Sequence, residues 1–370
     1  MSDRLRVAAI GVVIDIEIAA RGEAFLDRAR AAWADAVTSS EGEPEAVVAD
    51  RSELDDDAAL AMLSTDVTLA ALAARRGADL WMLHAAGLAD REGNVVVLSA
   101  ASGTGKTTAA RHLSRRFAYV SDETVAISAH GDVIAYRKPL SVIQPGSPHK
   151  LQVAPSAIHT SHPLPAPLRV ARIVVLDRRP DGPEVPEVEL LDVATALELL
   201  APQTSYLSDA PAPLHLVRHL LDSTGGAVRV SYREVETLDP TIDAILATAK
   251  PGDVARPRAQ AASAAEGPDE TVVPAATGGY QRTPVVDALD LEDGRLAVLR
   301  RSAAGSRLHV LDGIGPSVWA AAPGRTIDEI TDEVIAAHGR PDGAEPTTLV
   351  SAAVAQLVAD DLLRAAEPQT

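Results

Sequence analysis

The residues best suited to do chemistry form a single stretch, Ser99-Ala-Ala-Ser-Gly-Thr-Gly-Lys-Thr-Thr108. A run of Val and Leu precedes it, and a helix-forming segment follows. Successive backbone N–H groups entering a helix N-terminus make a cradle for phosphate oxygens. Lys106 adds a mobile positive charge, and the Thr107 hydroxyl suits a divalent cation. Gly105, Lys106 and Thr107 stand where the phosphate-loop pattern needs them, and Gly103 adds freedom. Ala100 takes the place of the pattern's first glycine. The chain has only four lysines against thirty arginines, so a lysine at this position carries information. Ser102, Gly103, Thr104, Gly105, Lys106, Thr107 and Thr108 are therefore the candidate set for a nucleotide's phosphates. The plain alternative is an ordinary glycine-rich strand-to-helix turn.

Beyond the loop's helix lies Tyr119-Val-Ser-Asp-Glu123, with two adjacent acids. Paired carboxylates suit phosphoryl transfer to a hydroxyl: one takes the proton and the other holds a metal ion. Neighbouring strand residues point to opposite faces, so Asp122 and Glu123 share a site only if the strand ends there. Ile173-Val-Val-Leu-Asp177 is a second strand ending in an acid, read here as a strand end. His215 and His219 have i, i+4 spacing but lack the Glu of a zinc protease. His159 and His162 sit among Pro and Ser. Both histidine pairs read as structural or exposed, and Asp55, Asp56 and Asp57 read as the first turn of a helix.

These residues need a scaffold, and 370 residues suffice for two or three domains. The net charge of −18 disfavours general binding to nucleic acid or anionic membrane. The absence of cysteine removes disulfides, thiol nucleophiles and thiolate metal sites. The N-terminal run Val7–Ile18 alternates with Asp15 and Glu17, so it reads as a strand rather than a signal peptide, and the cytoplasm is the default location. No run of 18 apolar residues suggests a transmembrane helix.

Residues 1–80 read as an α+β segment, with helices over Glu23 to Val37 and Ala58 to Arg76. Residues 81–250 alternate strand and helix signals, the pattern of an α/β domain. Leu83 to Ala89 and Val95 to Ser99, joined by Arg91-Glu-Gly-Asn94, predict an antiparallel hairpin. Strands are expected over Phe117 to Ile127, Val133 to Tyr136 and Arg172 to Asp177. Helices are expected over Gly105 to Arg116, Leu191 to Leu200 and Leu214 to Asp222. In 251–279, sixteen of 29 residues are Ala, Pro or Gly, which predicts a linker. Residues 280–370 resume regular patterning as a further domain.

Leu83-His-Ala-Ala-Gly-Leu-Ala89, Gly93-Asn94, the phosphate loop and Tyr119-Val-Ser-Asp-Glu123 together resemble the kinase domain of the HPr kinase/phosphorylase family. Arg137-Lys-Pro-Leu-Ser141 with Pro145-Gly146 resembles the segment that follows in that family. The resemblance covers about residues 80–250. It implies a P-loop kinase core of the phosphoenolpyruvate-carboxykinase-like fold, with ATP and Mg²⁺ as cofactors and a Ser or Thr hydroxyl as acceptor. It also implies Asp122 as the base, His84 beside it, Lys106 on the phosphates, and Thr107 and Glu123 on the metal. Glu123 stands where the family has a second Asp. Arg137 or Lys138 would neutralise charge on the transferring phosphate, and no later catalytic Arg can be matched. Relatives often assemble, so a homo-oligomer is compatible, though no interface is specified.

Residues 280–370 hold no catalytic constellation. Leu296 to Arg300 and Arg307 to Leu311 read as paired strands, and Ile314-Gly-Pro-Ser-Val-Trp319 starts a helix. Thr326 with Glu329 forms a capping box, and Val350, Val354, Leu357 and Val358 give a last apolar face. This pattern resembles the PqqD-like peptide-recognition domains, which implies a winged-helix shape that binds the leader of a precursor peptide as an added strand. A DNA-binding winged helix is the alternative, against which the acids Asp328, Glu329, Asp332 and Glu333 argue.

The combined expectation is a peptide kinase. Its alternatives are a nucleotide-gated peptide-presenting protein without transfer and a small-molecule kinase with a docking domain.

Overall fold

The computed structural model describes all residues except 1–3, 19–20, 52, 102, 143–148, 159–161, 250–277, 304 and 367–370. Ser102, Pro145-Gly146, His159 and nearly all of the linker expected over 251–279 lie outside the described residues. The chain forms two compact units, Met1–Pro257 and Arg258–Thr370.

The first unit opens with strands β1 (Arg4–Ala9) and β2 (Val12–Glu17), paired as a hairpin, then helix α1 (Glu23–Ala32), strand β3 (Ala46–Ala49) and helix α2 (Asp56–Ala74). β3 runs parallel to β2. Asp55 caps α2 by accepting from Ala58 N at 2.9 Å, so the acid run is the helix start its composition suggests. By length and apolarity α2 could cross a membrane, but half of it is buried inside this unit. Its Ala59, Leu63, Val67 and Ala71 share a core with Ile14, Phe25 and Trp33, and with Met82 and Tyr136 from later in the chain.

Strands β4 (Leu80–Leu83), β5 (Ala85–Ala89) and β6 (Asn94–Ser99) follow. The hairpin expected between the apolar runs is present, with Ala89 opposite Val95. The run expected as one strand from Leu83 is broken at His84: β4 joins a different sheet, and the His84 N–H donates instead to Gln203 O at 2.7 Å. Helix α3 (Lys106–Leu113) leads to β7 (Ala118–Ser121) and β8 (Val125–Ser128), the two halves of the strand expected over Phe117 to Ile127. Next come β9 (Val133–Ile134), β10 (Leu140–Val142), β11 (Leu151–Val153), β12 (Arg169–Arg178) and β13 (Glu187–Leu190). Helices α4 (Val193–Leu200) and α5 (Pro213–Ser223), strand β14 (Ala227–Tyr232) and helix α6 (Leu238–Thr248) complete the unit.

The main sheet is six-stranded and mixed, in the order β13-β14-β12-β6-β5-β7. β6, β12 and β14 are parallel, whereas β5 and β13 run against their neighbours. These parallel strands read as nearly unbroken apolar runs because both faces are covered. α3 and α6 cover one face, where Ala109, Leu113, Ile242 and Ile245 pack on Leu98 and Val174.

The second unit carries β15 (Tyr280–Arg282), an antiparallel sheet of β16 (Asp287–Asp290), β17 (Leu296–Ser302) and β18 (Gly305–Leu311), helices α7 (Gly315–Ala321), α8 (Ile327–His338) and α9 (Pro346–Ala359), and β19 (Leu363–Ala365) paired with β15. Val298, Trp319, Ile330, Val350 and Val354 fill its core. The capping box forms: Thr326 N donates to Glu329 Oε2 at 2.8 Å, and Glu329 N donates to Thr326 Oγ1 at 3.5 Å.

Candidate active site

The phosphate loop follows the end of β6, and α3 begins directly after it. Gly103 (φ 82°) and Gly105 (φ 93°) adopt the left-handed backbone that side chains disfavour. Thr104 Oγ1 donates to Ala101 O at 2.6 Å and fixes the loop's bend. Thr107 and Thr108 are exposed on the first turn of α3, with hydroxyls open to a ligand. His112 Nε2 lies 3.2 Å from Asp239 Oδ2, and Arg116 pairs with Asp243 at 2.5 Å, so α6 anchors the far end of α3.

Lys106 is buried, and its Nζ donates to His84 O at 2.9 Å. The break between β4 and β5 is what exposes that carbonyl. Burial lowers the Lys106 ammonium to about 8, although Glu123 and Asp122 pull it upward. His84 links the loop lysine to the acid pair, because its carbonyl accepts from Lys106 and its ring stands beside Glu123.

The strand does end at the acid pair. β7 stops at Ser121, whose Oγ accepts from the N–H groups of both Glu123 and Thr124 at 3.3 Å and closes the turn. Asp122 is buried, and Tyr119 donates its hydroxyl to Oδ1 at 2.7 Å. Burial pushes the Asp122 carboxyl above its ordinary range, against the opposing pull of Lys138 and of that hydrogen bond. Burial acts upward on Glu123 as well, but the Lys138 ammonium, 2.9 Å from Oε2, outweighs it and the carboxyl is held low. His84 Nδ1 stands 3.7 Å from Glu123 Oε1. Burial, followed by the Lys106 charge, lowers the His84 imidazole.

Of the two cations suggested for the transferring phosphate, Arg137 is paired in this structure outside the acid turn. Its Nη2 turns to Asp35 at 3.4 Å, in the N-terminal segment, and Lys138 stands at the carboxylates instead. Lys138 is buried and its Nζ also reaches Ser64 Oγ of α2 at 3.5 Å. Asp177 is engaged at its strand end by Arg179 at 2.6 Å and Ser231 at 3.0 Å. His162 bonds to Arg115 O at 3.0 Å, and His215 and His219 lie on α5.

Two site residues were not picked out as such from sequence. One is Lys138, left undecided against Arg137. The other is Arg178, at the end of β12: a Cβ built on Gly105 would lie 3.7 Å from its Cδ and 3.9 Å from its Nη1. Its Nε donates to Arg233 O at 3.1 Å and its Nη2 lies 3.8 Å from Glu234 Oε2, which hold the guanidinium near Gly105. The signal available in sequence was an arginine just past an apolar parallel strand, where such sheets bind ligands.

Among the described residues, no group of three His, Asp or Glu side chains forms a metal-holding cluster. Mg²⁺ needs no such cage, because water and phosphate oxygens supply most of its ligands beside one or two protein groups. The Thr107 hydroxyl and the Glu123 carboxylate are oxygen donors of the kind Mg²⁺ takes, and Lys138 holds that carboxylate in this structure.

No family model and no curated protein matches this chain. A solved structure that it resembles is the Hpr(Ser) kinase/phosphatase from Coxiella burnetii, at 11% identity and a TM-score of 0.25, over 45% of this chain and 93% of that one.

Proposed function

We propose that this chain is an ATP-dependent phosphotransferase that moves the γ-phosphoryl group of ATP to a Ser or Thr hydroxyl of a ribosomally made precursor peptide. The observation that supports it most is that His84 stands between the two motifs: its carbonyl accepts from Lys106, at the start of α3, at 2.9 Å, and its Nδ1 lies 3.7 Å from Glu123 Oε1. A phosphate cradle alone would bind a nucleotide, and a carboxylate whose affinity for a proton is raised by burial suits a base.

In the proposed reaction the acceptor oxygen bonds to the γ-phosphorus, the bond to the bridging oxygen breaks, and ADP leaves. The hydroxyl proton passes to Asp122. Lys106 exchanges the His84 carbonyl for phosphate oxygens, and the backbone N–H groups of 103–108 hold the rest. Mg²⁺, held by Thr107 and Glu123, would supply charge neutralisation on the phosphates. Lys138 holds Glu123 ionised, and Tyr119 fixes Asp122.

The second unit supports the peptide part of the reading. β18 is an edge strand of its three-stranded sheet among the described residues, a place where an extended leader can add by main-chain hydrogen bonds. Tethering the leader in the same chain raises the effective concentration of the core peptide at the kinase site.

The test is intact mass of precursor peptides encoded beside this gene after incubation with MgATP. One added phosphate, lost in Lys106→Ala and Asp122→Asn, is expected. A second reading, a nucleotide-gated peptide-presenting protein, draws on the Lys138–Glu123 ion pair, which competes with metal for that carboxylate. Tight MgATP binding with no added phosphate on any peptide would favour it.

A further inference from the structure

A cavity of about 250 Å³ opens beside Glu123 of the acid pair. Glu123, Lys138 and Ser205 line one side of it, and Ser64, Thr65, Leu69 and Leu72 of α2 line the other. Positions 65, 69 and 72 follow the i, i+4, i+7 spacing of a single helix face. Among the described residues, none of the phosphate loop lines this cavity, whereas His84, whose carbonyl holds Lys106, does. The cavity thus adjoins the nucleotide's place and has a wall of its own.

Its chemistry is graded. The floor is polar, with the Lys138–Glu123 pair at 2.9 Å and the Ser64 hydroxyl at 3.5 Å from Lys138 Nζ. The rim is apolar: Leu69 is 56% exposed in the middle of α2, with Thr65 one turn before it. Small-molecule sites are commonly about 300–1,000 Å³, so this volume suits a side chain and part of its neighbour rather than a folded surface.

The geometry points to this cavity as the acceptor pocket and to α2 as its specificity wall. The acceptor Ser or Thr side chain enters toward Glu123 and Lys138, and an apolar residue flanking it packs on Leu69. This rests on the peptide-kinase reading above. It gives the N-terminal segment, which carries none of the phosphate or acid motifs, a direct part in choosing the substrate.

The full chain is incubated with MgATP and a Ser-centred peptide library randomised at the flanking positions, and MgATP affinity is measured in parallel. The wild type is expected to favour apolar residues at one flanking position. Leu69→Glu is expected to shift that position toward Lys and Arg by about tenfold, roughly the ratio that 1.4 kcal/mol of contact energy produces. Thr65→Trp, which fills the mouth, is expected to cut incorporation at least about tenfold. Both variants should bind MgATP as the wild type does. Flank preference is a ratio within one sample, so partial misfolding does not move it, and it decides the case. An identical preference in wild type and Leu69→Glu overturns the pocket and leaves the kinase reading standing. A wild type that binds MgATP and phosphorylates no library member overturns the peptide reading and the pocket together.

Discussion

Within the first unit, Lys106, Asp122, Thr124 and Lys138 are buried alongside the apolar core. Within the second, Thr331 is the one buried polar residue among those described, and its hydroxyl donates to Ile327 O at 2.7 Å, inside its own helix. Burying charge costs several kcal/mol unless partners compensate. The first unit meets that cost with short contacts: Tyr119 to Asp122, Lys138 to Glu123, and Lys106 to the His84 carbonyl. Such groups are dear to keep and perturbed in acidity, which is where reactive sites are found. The second unit, among its described residues, has no comparable cluster of buried charged side chains, and it offers a sheet edge. The contrast is the one that the proposed division of labour requires, with chemistry in one unit and capture in the other.

The hardest blow to that contrast falls on the base. Asp122→Asn keeps shape and removes the proton acceptor, and transfer should drop about 10²–10⁴-fold while MgATP binding stays. Because burial raises this carboxyl, wild-type transfer should also fail on acidification at a higher pH than an ordinary aspartate would set. Peptide phosphorylation followed by mass against pH checks both. Wild-type rates in Asp122→Asn would move the base elsewhere in the first unit.

Arg178→Ala tests the reach of the first unit's nucleotide site. A guanidinium near Gly105 should give charge-assisted bonds to the nucleotide, so MgATP affinity should fall about tenfold, as loss of about 1.4 kcal/mol implies. Arg178→Lys should recover part of it. Titration calorimetry reads this without any acceptor, and unchanged affinity would return Arg178 to the surface.

Lys106 gives a smaller, signed effect. Its native ammonium sits at about 8, below the ordinary lysine near 10.4. Between those values the unfolded chain binds more protons, so stability of the nucleotide-free protein should rise with pH across that window. MgATP affinity should run the other way, weakening several-fold from about pH 7 to about pH 9 as the native amine loses its charge. Flat affinity over that range would remove Lys106 from the phosphates.

Much of this site was legible before the fold was known, because its parts are local. A phosphate loop is a contiguous strand–glycine–lysine–helix run, and the acid pair needs only that its strand stop, as it does at Ser121. What was not legible depends on distant partners. Periodicity showed an apolar run from Leu83 onward but not that it changes sheets at His84, since both halves are equally apolar. Arg137 and Lys138 are neighbours on an extended chain and face opposite ways, so the choice between them depended on where Asp35 and Glu123 lie. α2 is legible as a helix, while its part in the cavity comes from contacts across more than fifty residues of chain. β14 and α6 escaped the reading altogether, though they complete the parallel sheet and anchor α3.

The mildest change probes the second unit alone. Thr326 caps α8 in a reciprocal box with Glu329, and replacing it by Ala should cost about 1 kcal/mol. The loss should stay local, because α8 packs through Ile330 and Val334 into a core made of second-unit residues only. Hydrogen exchange over residues 326–338 should quicken, peptide capture should weaken to the extent that it needs a firm scaffold, and MgATP affinity should not move. If nucleotide binding fell with the cap, the two units would be one cooperative body, and the division of chemistry from capture would have to be given up.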